Sequence, residues 1–327
     1  AHIVTVGNAS YNAGDLVPYA TMLIAGNAQT TDEPVDAALK MLKNTETLLQ
    51  AGIPVVGEPT ADELKAGIKK GIALPDNVTE ESYARSYQAF LKATRIDQAR
   101  FEHLVRSQVV SDRLAEKFKA DIPASGPQFH AAGVQSRDQN KIREFRTAIA
   151  GGAPFEATAK SMGLVQQNQT PDFGWILPPA QGFLKDTVKL QDLKAGQITD
   201  VIERDFQFEV YQMLERDEQR AYRPDQKDAL ADMKVQDWIK QQQADKVKVT
   251  EDVSPAERKW ITKRVVANAQ AIAEDRKNNL PPPIVTVAPS TAPTPSATPA
   301  ASATPATTST ATPSATATGS ATPAGGR

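Results

Sequence analysis

Between residues 129 and 217 the spacing of apolar residues changes period repeatedly, and no other stretch restricts the fold as much. FHAAGVQS reads as a strand, after which Ile142, Phe145 and Ile149 recur at helical spacing until Gly151-Gly152 end the run. Phe155 and Ala159 sit on a second helix, residues 173–176 read as a strand, and LKAGQ turns into ITDVIERD. FQFEVYQML then alternates as a half-buried strand. The expected order is strand, helices, strand, helix and a two-stranded hairpin.

The residues before this stretch predict mostly helix. Only IVTVGNASYN reads as a short strand and turn. In VDAALKMLKNTETLLQAGIPV, Ala38, Leu39, Leu42, Leu48 and Leu49 fall on helical spacing ahead of a stop at Gly52. Thr60 with Glu63 predicts a capping box, Thr79 opens a further helix, and Phe101, Leu104, Val105, Val109, Leu114 and Phe118 form the stripe of a long one. After residue 222 come another helix carrying Trp238, a short strand with Val247 and Val249, and a last helix opened by Ser254-Pro255.

At 327 residues the chain is long enough for two domains with their own cores. Residues 281–327 belong to neither, because they are almost wholly Pro, Ser, Thr, Ala and Gly, with no aromatic side chain and no charge before Arg327. Such a composition buries too little apolar area to offset its ordering entropy, so a disordered tail is expected. A net charge of −2 without a basic, aromatic-interleaved stripe argues against nucleic-acid binding. The chain has no cysteine, which excludes thiolate metal sites and thiol nucleophiles and suits an oxidising compartment. No run approaches the ~20 apolar residues of a membrane span. The opening AHIVTVGNAS lacks an initiating Met, which suggests a removed signal peptide or membrane anchor before Ala1. With the Ser/Thr-Pro tail, an extracytoplasmic location, in the cell envelope or secreted, is expected.

FHAAGVQS, GGAPFEATAKSMG, DFGWI, LKAGQITDVI and FQFEVYQMLERD, in that order, resemble the parvulin-type (PpiC-type) peptidyl-prolyl isomerase module. VTVGNAS, LLQAGIPV and QARFEHLVRSQVVSDRLAEKF, followed by the Trp238 helix, are similar to the helical chaperone part of SurA/PrsA-type foldases. The resemblance covers roughly residues 1–250 and leaves the Ser254-Pro255 helix unassigned. It implies an α+β chain: a SurA-N-like helical domain (1–125), an inserted parvulin-like domain with a small four-stranded antiparallel sheet (126–219), and returning helices (220–280), before the tail (281–327).

A prolyl peptide bond rotates over a barrier of ~18–20 kcal/mol, and lowering it needs an apolar socket and polar groups that favour the twisted amide. No cofactor is required. The resemblance offers Trp175, Phe183, Leu184, Val188 and Phe208 as a substrate-binding cup, residues that would equally fill a core. It places Gly133 and Glu209 where the family has its two histidines and Val165 at the acidic or thiol position, so all three polar positions are substituted. A shifted register makes His130 the candidate, with Glu209 as its partner. His2, His103 and His130 are the only histidines, and no metal-ligand spacing surrounds them.

Three functions fit. The first is a folding factor that binds unfolded or nascent secreted polypeptides, with weak or lost isomerase activity. The second is a competent isomerase with a rearranged polar set, and the third a non-catalytic envelope scaffold.

Overall fold

The stretch IVTVGNASYN folds back on itself as an antiparallel hairpin of β1 (His2–Val6) and β2 (Ala9–Asn12), with Gly7 at φ 57° in the turn. The computed structural model describes residues 2–25, 33–178, 190–204 and 206–278. The expected tail, the cup residues Phe183, Leu184 and Val188, and most of the helix expected after residue 176 lie outside the described residues.

Helix α1 (Ala13–Ala25) is absent from the sequence reading, because Gly14 and Pro18 look like breakers. It forms because Asn12 Oδ1 accepts from the amides of Gly14 (2.8 Å) and Asp15 (3.2 Å), while Leu16, Tyr19 and Ala20 bury themselves in the core. Burial of that face outweighs the one backbone bond lost at Pro18.

Helix α2 (Pro34–Thr47) runs on through a π-helical turn, Leu48–Gly52, into α3 (Ile53–Val56). Gly52 is therefore not the stop that the sequence suggests: it is helical, at φ −81°, and the helix ends at Gly57, whose φ is 83°. What Gly52 supplies is close approach, since a Cβ there would lie 2.6 Å from Val110 Cγ1.

Helices α4 (Ala61–Gly71) and α5 (Glu80–Thr94) start as predicted. The Glu63 amide donates to Thr60 Oγ1 and the Thr60 amide to Glu63 Oε2, completing the capping box, and Thr79 Oγ1 caps the amide of Ser82. The long stripe becomes α6 (Gln98–Lys119), capped by Asp97.

The chain then builds an antiparallel sheet in the order β4-β3-β6-β5. Its parts are β3 (Ser125–Ser136), α7 (Gln139–Ala150), α8 (Phe155–Ser161), β4 (Asp172–Ile176), β5 (Ile202–Arg204) and β6 (Gln207–Ala221). One face packs Ala132, Val134 and Val210 against Ile142, Phe145 and Ile149 of α7 and Phe155 and Ala159 of α8. The other face gathers Phe129, Ala131, Tyr211 and Met213 under Leu190. Two apolar faces explain why alternation alone does not mark which side is solvent.

From β6 the chain returns to the helices through α9 (Pro224–Asp245), whose Val235 and Ile239 pack on Leu48, Leu49, Val110 and Leu114. Strand β7 (Val249–Glu251) pairs antiparallel with β1, and α10 (Pro255–Asn278) buries Ile261 and Val265 in the same core as Leu16 and Leu39. At the root of the sheet a buried amide pair joins the two parts: Gln226 Nε2 donates to Gln128 Oε1 (2.9 Å) and to the carbonyl of Trp175 (3.2 Å). No helix among the described residues is long and apolar enough to cross a membrane.

Candidate functional site

Strands β3 and β6 carry the positions that the resemblance marks as catalytic. In their antiparallel register Gly133 stands opposite Tyr211 and Gln135 opposite Glu209. Residues two apart share a face, so Gly133, Tyr211 and Glu209 all belong to the face that holds Phe129 and Met213. The two expected histidine positions are thus neighbours on one side of the sheet.

Their chemistry is not that of a histidine pair. A Cβ on Gly133 would meet Tyr211 Cδ1 at 2.5 Å and Phe173 Cε2 at 2.8 Å, so aromatic rings occupy the room a side chain would need. Glu209 is buried, at 2% exposure, and both its carboxylate oxygens are engaged: Arg204 donates to Oε1 at 2.8 Å and the Tyr211 hydroxyl to Oε2 at 2.9 Å. Burial, followed by the bond to Glu209, pushes the Tyr211 phenol well above its ordinary pKa, so it stays a hydrogen-bond donor at neutral pH. A carboxylate paired and buried in this way is held in place by the sheet.

His130 lies on the opposite face, out of phase with Phe129 and Ala131, and pairs with Trp175 and Glu215 in the ladders. Its ring stacks on Trp175 at 5.4 Å, and Nε2 is 2.9 Å from both oxygens of Asp172. The Arg220 guanidinium lies 4.0 Å from the Trp175 ring centroid. His130 and Glu209 therefore do not converge.

Nor do the two described cup residues. Trp175 is level with His130 and Phe208 with Ser136, six positions along β3 or roughly 20 Å, and Phe208 packs against the core under α7 and α8. Val165 packs in that same core, away from Gly133 and Glu209.

Sequence reasoning missed Arg204, Tyr211 and Phe173 as the residues that define this face. One cue was available: a glycine inside a strand signals close approach of something else. Phe206, at the β5–β6 turn, is 91% exposed with φ 63°, a backbone region that bulky residues seldom adopt.

Hollows also lie away from Gly133 and Glu209. A cleft of about 670 Å³ between α4 and α6 has Val56, Ala66, Gly67 and Val109 among its lining, with Lys70 and Asp112 at its rim. A smaller one, about 270 Å³, lies where the sheet meets α9, among Pro123, Pro127, Tyr222, Leu230 and Met233.

No family model matches the chain, and no curated protein does. Among solved structures it is similar to a PrsA peptidylprolyl isomerase of Bacillus anthracis: 16% identity, 71% of this chain and 97% of that one, TM-score 0.36. It is also similar to the foldase PrsA of Streptococcus pneumoniae (13%, 84% and 94%, 0.34). A third likeness is to a SurA-like chaperone of Campylobacter jejuni (13%, 78% and 100%, 0.26).

Proposed function

We propose that this chain is an extracytoplasmic folding factor that holds extended, unfolded polypeptides and has little or no prolyl isomerase activity. In this reading residues 1–125 and 220–280 form the chaperone part, and residues 126–219 are a parvulin-like sheet kept for gripping chains. The observation that carries it is the filled slot at Gly133, together with the fully engaged Glu209. An isomerase needs polar groups free to respond to a twisting amide, and here they are spent on one another.

Client binding is assigned to the α4–α6 cleft, where an apolar floor and charges of both signs suit many sequences and select none. The cleft is tested by aggregation of a denatured client: wild type should suppress it, and Val56→Asp with Val109→Asp should not, with the circular dichroism unchanged. A wild type that leaves the client aggregating as fast as buffer does ends the holdase reading.

A second reading has one observation in its favour, the His130–Asp172–Trp175 group, in which His130 stacks on Trp175 and is hydrogen-bonded to Asp172. If that group were catalytic, isomerisation of a short X-Pro peptide would exceed the solvent rate and vanish in His130→Ala.

A further inference from the structure

Helix α10 buries Ile261, Val265 and Ile272 against the helical core, so at about 100° per residue its opposite side faces outward. That outward side carries Lys259, Trp260, Lys263, Val266, Ala267 and Gln270, all exposed. Trp260 (44%) and Val266 (47%) are two of the few large apolar side chains the described residues leave open to solvent, and they stand at the two edges of this outward face, about 120° apart around the helix with Lys259 and Lys263 between them. Arg264 flanks it, its guanidinium 5.4 Å from the Trp260 ring centroid. No acid occurs from Lys259 through Ala273. Among the described residues Lys259, Lys263 and Arg264 have no ion-pair partner, whereas Arg258 on the inner side is matched by Asp36.

We propose that this stripe docks the protein on an anionic lipid surface. The stripe is the outward side of a helix of 24 residues, which a flat surface can meet along its length. Cations attract lipid phosphates, an exposed Trp prefers the headgroup level, and Val266 adds apolar area in the same plane. Three cations give weak, reversible attachment, enough to orient the molecule on a membrane. The surface is separate from the cleft assigned to clients, and its test reads membrane attachment, independent of chaperone activity.

The test is flotation of the whole chain with vesicles of phosphatidylglycerol and phosphatidylcholine, or of phosphatidylcholine alone. Binding should occur only with the anionic vesicles and should fade near 1 M salt, where the Debye length is about 3 Å. Each neutralised cation should weaken partitioning about fivefold, so Lys259→Gln with Lys263→Gln should lose roughly 25-fold. Trp emission should shift to the blue on binding, and the shift should disappear in Trp260→Phe, a change that leaves the core intact. Equal flotation of the double variant would overturn the proposal. So would binding to soluble poly-glutamate with none to vesicles, which would make the stripe a site for acidic polymers.

Discussion

Tyr211 covers Gly133: the two face each other across the β3–β6 ladder, and the Tyr211 ring lies where a Gly133 side chain would have to go. Gly133→His should therefore destabilise the fold by about 1–3 kcal/mol, as overpacking does, and should not install activity by itself. Urea unfolding gives the first quantity and the peptide assay the second. Combining it with Phe173→Ala should recover part of the loss, because the Phe173 ring is one of the two the new side chain strikes and, unlike Tyr211, it does not hold Glu209.

The second prediction concerns Glu209, which sits at 2% exposure between two donors. Glu209→Ala takes the acceptor from the buried Tyr211 hydroxyl and one ion-pair partner from the half-exposed Arg204, and should cost about 1–3 kcal/mol. Whatever isomerisation rate the wild type shows should be unchanged relative to folded protein. A specific loss of rate without loss of stability would return Glu209 to a catalytic role.

Gly52 lets the π-helical turn sit against α6, where the first carbon of any side chain would come within 2.6 Å of Val110 Cγ1. Gly52→Val should separate the two helices and lower stability by about 1–3 kcal/mol, measured by thermal unfolding. Helical content should stay close to wild type, since the backbone at this position is ordinary helix.

The acid limb of the stability curve should report Glu46. Burial works to raise its pKa, but bonds from His103 (2.6 Å), the Tyr11 hydroxyl and Gln50 (3.0 Å) outweigh that, and the pKa is lowered. A carboxylate whose folded pKa is depressed adds stability above its unfolded value, and that share is lost as the pH falls below about 4.3. His103→Ala should cost about 1–3 kcal/mol at pH 7, and the gap should narrow towards pH 3. Unfolding by urea across that range measures both.

On the alkaline side, burial pushes the Tyr19 phenol up to about 12. The folded chain then keeps a proton that the unfolded chain releases above about 10, so stability falls as the pH rises from there. Tyr19→Phe should flatten that fall by about 2 kcal/mol between pH 10 and 12, read by urea unfolding at each pH.

Much of the fold was legible because local rules and tertiary structure agree at particular residues. Thr60, Thr79 and Ser254 cap the helices they were expected to cap. Ile142, Phe145, Ile149, Phe155 and Ala159 are all buried, as their spacing predicts. Helix α1 was illegible because packing, not propensity, overrides Gly14 and Pro18. Gly52 misled because a glycine that permits contact and a glycine that ends a helix look alike in sequence. The site was half legible: counting along the strands brings Gly133 and Glu209 onto one face, yet it cannot show that Tyr211 fills one position and, with Arg204, binds the carboxylate at the other. The cup residues Trp175 and Phe208 are both aromatic but stand at opposite ends of the sheet, level with His130 and with Ser136.

The pairing of β1 with β7 also sets an order on biosynthesis. Strand β1 is the middle of its three-stranded sheet, and one of its two neighbours is made from residues 249–251. A chain emerging from a ribosome or a translocation channel must therefore carry an unpaired edge until nearly all its folded length has appeared. Over that interval the exposed edge of β1 is open to pairing with other chains, and the arrival of residues 249–251 closes it.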